Sequence, residues 1–153
     1  MINFKKKTLD NGLRVVINPD NTTELVAVNL LYKVGAKNED EEHTGFAHLF
    51  EHLMFSGSEN FPDFDNLINS IGGESNAFTN NDYTNYYVSV PSIYLETILT
   101  IEADRMRNLL IDEQHLSVQK KVVIEEFKQR RRDIEEIYHK LISIDTSNNA
   151  IMQ

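Results

Sequence analysis

The stretch Phe46-Ala47-His48-Leu49-Phe50-Glu51-His52-Leu53-Met54-Phe55-Ser56-Gly57-Ser58 decides how the chain is read. At about 100° per residue, Phe46, Leu49, Phe50 and Leu53 fall on one stripe of a helix, while His48, Glu51 and His52 fall on the opposite side. Two His at i and i+4 project one above the other, so their imidazoles can converge on one ion with Glu51 beside them. Such a patch has two readings. It is the wet side of an amphipathic helix, or it is two ligands of a catalytic metal with a carboxylate left free to take a proton from water. Either His alone fits the first reading. All three at this spacing favour the second, because the remaining His43, His115 and His139 form no comparable group and read as ordinary loop or surface residues.

Two protein ligands hold a metal poorly, so a third must come from elsewhere in the fold. The chain has no cysteine, which leaves His, Asp or Glu. The segment VQKKVVIEEFKQRR, residues 118–131, lies on a long last helix expected to start near Asp112, with an apolar side set by Leu116, Val123, Phe127, Ile134 and Leu141. Glu126 sits roughly 60° from the centre of that side and Glu125 roughly 160° from it, which makes Glu126 the half-buried one. A buried carboxylate must meet a cation. Periodicity alone leaves a metal and a Lys or Arg partner equally open. Gln119, seven residues before Glu126, shares its face.

The flanking segments predict the frame. KKTLDNGLRVVIN reads as a hairpin about Asn11-Gly12, and ELVAVNLLYKVGA as a buried strand ending at Gly35. The acidic loop KNEDEEHTG leads into the His-bearing helix, which Thr44 is placed to cap and Gly57 to close, with acidic residues near its positive end. A helix follows Pro62 and stops at Gly72-Gly73. SNAFTNNDYTNYYVSV is a second hairpin with Thr84, Tyr86, Val88 and Val90 on one face. From Pro91 a helix carries Leu95, Ile98, Leu99, Met106, Leu109 and Leu110 on one stripe. Strands and helices without a repeating βαβ unit predict an α+β fold with an antiparallel-rich sheet and helices packed on it.

At 153 residues one domain, 1–153, is expected. A hydrophobic share of 41% with 25% charged residues suits a soluble globular chain, and no apolar run is long enough for a membrane span. The net charge of -9 argues against a nucleic-acid partner, and the short basic run KQRRRD reads as a solvated helix face. No apolar segment follows the basic N-terminus, so no signal peptide is read and a cytoplasmic location is expected.

His48-Leu49-Phe50-Glu51-His52 reproduces H-x-x-E-H, the inverted zinc motif, and the chain resembles the pitrilysin family of zinc metallopeptidases, the inverzincins, which includes insulysin and the mitochondrial processing peptidase. The resemblance runs through LDNGLRVVI, VGAKNEDEEHTGFAHLFEHLMFSGS, IGGESNAFTNNDYTNYYVSV and VVIEEFKQR, about the first five-sixths of the chain. It implies one Zn2+ per chain, held by His48, His52 and a glutamate on a later helix, for which Glu126, 126 − 52 = 74 positions past His52, is the match. It also implies hydrolysis of peptide bonds with Glu51 as general base, then proton donor to the leaving amine. A peptide or unfolded polypeptide would add as an extra strand beside Asn76, Ala77, Phe78 and Thr79, residues that spacing alone assigns to a plain hairpin.

Two departures stand out. Many members carry a glutamate where this chain has Gln119, a position thought to support the zinc ligand. After Arg131 the sequence no longer resembles the family, which predicts a truncated first domain. The chain is then an endopeptidase, or a non-catalytic or half-enzyme zinc-binding subunit that needs a partner chain to form the active chamber. Missing strands would expose a sheet edge and apolar surface, so self-association is expected.

Overall fold

A computed structural model describes residues 3–149, with side chains as far as residue 140. The architecture is α+β. Gly12 takes φ +86°, the left-handed conformation that the turn between β1 (Lys5–Thr8) and β2 (Arg14–Ile17) requires, and Asn11 Oδ1 accepts a hydrogen bond from Leu13 N at 3.0 Å. These strands pair antiparallel as a separate two-stranded sheet. A second sheet holds β3 (Leu25–Tyr32), β5 (Thr84–Pro91) and β4 (Glu74–Thr79), antiparallel with β5 in the middle. Thr84, Tyr86, Val88 and Val90 are all buried, as the alternation predicts. β3, expected as a buried strand, is an edge. It has one neighbouring strand and one packed face, so its residues alternate between exposed and half-buried.

The core joins the sheet to two helices. Phe64 and Ile68 of α2 (Phe64–Ser70) and Ile98 and Ile101 of α3 (Leu95–Arg107) close on Val88 and Val90. Asp63 caps α2 by accepting from Asn66 N, and Gly72 ends it at φ +73°. The face of α3 differs from the apolar stripe expected of it. Leu95, Leu99 and Met106 are exposed, whereas Glu102 and Arg105 are buried beside Ile98 and Ile101. The charged pair goes inside because it brings its own partners. Arg105 donates from an Nη to Glu102 Oε1 at 2.7 Å and from Nε to the Met54 carbonyl at 3.1 Å, and its guanidinium lies 4.0 Å above the Phe64 ring. Burial raises the Glu102 pKa against the pull of Arg105.

The last helix, α4 (Glu113–Asn149), starts where Asp112 Oδ1 accepts from His115 N at 2.7 Å. Its inward face differs from the apolar side read from periodicity. Phe127 and Ile134 are 69% and 67% exposed, while His115, Gln119, Val123 and Glu126 are half-buried; Leu141 lies outside the described side chains. The helix packs on α1 (Phe46–Leu53) through a partly polar stripe, and the apolar stripe next to it stays open. Among the described residues no helix is long and apolar enough to cross a membrane.

Candidate metal centre

Helix α1 is held at both ends by charges of the sign its dipole favours. Gly45, at φ +88°, is its N-cap, and the Glu39 carboxylate accepts from Gly45 N and Ala47 N at 2.7 Å each. The expected Thr44 cap is therefore replaced by a carboxylate from the residue that follows the short 3-10 turn Ala36–Asn38, which reaches two free amides at once. At the other end the chain passes into a 3-10 turn, Met54–Ser56, whose first carbonyl takes the Arg105 hydrogen bond. Gly57 then turns at φ +87°, and a Cβ there would fall 2.4 Å from the Pro62 carbonyl oxygen.

Along this anchored helix, His48 and His52 point toward α4. Their Nε2 atoms are 3.2 Å apart, and Glu126 Oε2 lies 3.4 Å from His48 Nε2 and 3.6 Å from His52 Nε2. Ligand atoms at about 2.0–2.2 Å from a tetrahedral ion are separated from one another by about 3.3–3.6 Å. The triangle fits one such ion. His48, His52 and Glu126 are each half-buried and, among the described residues, form a group that could hold a metal. Burial first, and then the neighbouring His52, lower the His48 pKa against the opposing pull of Glu51 and Glu126. That favours the neutral imidazole a metal requires. His43 and His115 stand elsewhere, each beside the aspartate three residues before it.

Glu51 shares the helix face and stays out of the triangle. Its Oε2 accepts a hydrogen bond from the Thr79 hydroxyl of β4, the strand that packs against α1. Tyr86, whose pKa is raised by burial and by Glu51, lies behind.

Fold geometry sorts the four β4 residues. Ala77 and Thr79 are half-buried toward α1, while Asn76 and Phe78 are exposed on the other face, where Phe78 packs edge-on against Tyr83. The strand is a free sheet edge, and the Asn76 side chain occupies part of it: its Oδ1 accepts from Ala77 N at 2.8 Å. Sequence reasoning missed three contacts that hold α1 and Glu51 in place, those of Glu39, Arg105 and the Thr79 hydroxyl. Only Glu39 left a trace, in the acidic run before the helix.

Residues 14–152 match the family described as insulinase, peptidase family M16. The chain belongs to that family. The M16 match reaches past Arg131, so the resemblance extends beyond the first five-sixths of the chain. The chain is 38% identical over 126 residues to the zinc protease PqqE of Helicobacter pylori, covering 80% of this chain and 28% of that protein. The crystal structure of a protease from Helicobacter pylori superposes with a TM-score of 0.80 at 36% identity, covering 85% of this chain and 32% of that one. Pitrilysin superposes with a TM-score of 0.74 at 27% identity, covering 84% and 14%. The fold is thus pitrilysin-like, and the chain spans less than a third of each of these proteins.

Proposed function

We propose that this M16 chain is the metal-bearing part of a zinc-dependent endopeptidase, with one Zn2+ held by His48, His52 and Glu126. The observation that carries this reading is the ligand triangle with Glu51 beside it and not in it. Bound zinc would polarise the scissile carbonyl and acidify a water. The remaining work falls to the chain's own side chains. Glu51 accepts the water proton and later returns it to the leaving amine. A peptide or unfolded polypeptide lies along the free edge of β4 at Asn76, Ala77, Phe78 and Thr79, and the Asn76 carboxamide swings off Ala77 N as the incoming strand takes that donor.

A second reading makes the chain a half-enzyme or non-catalytic zinc-binding subunit that needs a partner chain, or a second copy, to form the active chamber. The open edge of β3 and the exposed Val118, Val122, Phe127, Ile134 and Tyr138 on α4 support a surface that another chain covers. Hydrolysis of a quenched fluorescent peptide by zinc-loaded chain separates the two. Turnover abolished both by a chelator and by Glu51→Gln establishes a self-sufficient peptidase. Stoichiometric zinc without turnover contradicts a self-sufficient peptidase and favours the subunit, and light scattering over a range of concentrations then reads its self-association.

A further inference from the structure

We infer that the Thr79 hydroxyl is a positioning residue for Glu51: it fixes one carboxylate oxygen and leaves the other for the reacting water. This rests on the peptidase reading for its consequence in turnover, and on the structure alone for the contact. Glu51 sits on a flexible stem, and a helix face offers its carboxylate several staggered orientations. The contact that selects among them is the one from Thr79 Oγ1 to Oε2. Oε1 has no hydrogen-bond partner among the described residues.

Proton accounting fixes the direction of the chain behind it. Thr79 has one hydroxyl proton, and Glu51 takes it. The 3.2 Å contact between Thr79 Oγ1 and Thr84 Oγ1 is then filled by the Thr84 proton, for which the Val34 carbonyl, 3.0 Å away, competes. Thr84 and Thr79 face each other across β5 and β4, so the donor is held by the sheet and not by a loop. A donor preset in this way costs no reorganisation when the base acts. The same residue ends the strand proposed to receive substrate. Its main chain and its hydroxyl therefore serve two parts of one site.

Thr79→Val keeps shape and β-branching but has no proton to give, and Thr79→Ser keeps the proton. In zinc-loaded chain, Thr79→Val is expected to lower kcat about 10- to 100-fold with KM within about twofold, and Thr79→Ser to restore most of it. The contact has its own readout. A slowly exchanging Thr79 hydroxyl proton should appear in the NMR spectrum of metal-free chain and vanish in Glu51→Ala. Equal kcat in Thr79→Val and the unmodified chain, or equal damage in the Val and Ser variants, would overturn the positioning role. Active chain without the protected proton contradicts the contact and spares the peptidase reading. Inactive chain that keeps the Glu51-dependent proton contradicts that reading and spares the contact.

Discussion

The two faces of α1 depart from what an amphipathic helix leads one to expect: the polar face is enclosed, while on the apolar face Leu53 is buried and both aromatic residues are exposed. His48, Glu51 and His52, the polar face, are half-buried between α4 and β4. Phe46 and Phe50, on the opposite face, are 46% and 49% exposed and border a cavity of about 440 Å³ that Tyr32, Met54 and Tyr86 also line. Polar groups gain reactivity when water is kept off them, and they tolerate enclosure only with partners, which here are one another, Glu126 and Thr79. The aromatic face carries no such demand. It can stay open at modest cost, and the enclosed face cannot be loosened without losing the alignment of three side chains.

The comparison breaks most severely at the helix ends. Arg105→Leu leaves Glu102 buried without its cation and the Met54 carbonyl without its donor, so a loss of about 3–5 kcal/mol is expected in urea unfolding. A loss under about 1 kcal/mol would show that the ion pair does not anchor α1. Glu39→Ala frees two amides at the opposite end and should cost about 1–2 kcal/mol, with Glu39→Gln recovering part of it. On the open face, Phe50→Ala should cost about 1 kcal/mol or less and leave zinc affinity unchanged. A large loss there would mean that the aromatic face is covered.

The smallest effect is a pH dependence of the enclosed face. Burial holds the His48 pKa below its ordinary value of 6.5, so the unfolded chain binds that proton more readily than the folded one. The stability this represents is complete above pH 6.5 and is lost as pH falls through the folded value. In metal-free chain His48→Gln should flatten that decline, measured as the unfolding midpoint against pH. Parallel curves would contradict the assigned burial.

Local chemistry was legible in the sequence, and long-range polar pairing was not. The Asn11-Gly12 turn, the alternation of Thr84 to Val90 and the His48-Glu51-His52 patch all follow from spacing within a few residues. Glu126 was reached by a periodicity whose own apolar markers, Phe127 and Ile134, point to solvent; the glutamate nevertheless lies at the edge of that side which faces α1. Arg105 and Glu102 went unread because an apolar stripe directs attention away from charges, and their burial depends on Met54 and Phe64 from other elements. The Thr79 hydroxyl reaches across 28 positions of sequence to Glu51, a contact that no local pattern encodes.

The most direct measurement is calorimetric titration of zinc into metal-free chain, beside Glu126→Ala and Glu51→Gln. One zinc per chain, weakened about 100-fold or more by Glu126→Ala and unchanged by Glu51→Gln, is the expected result. Unaltered binding in Glu126→Ala, or binding lost in Glu51→Gln, would contradict the division of the site into three ligands and one free base.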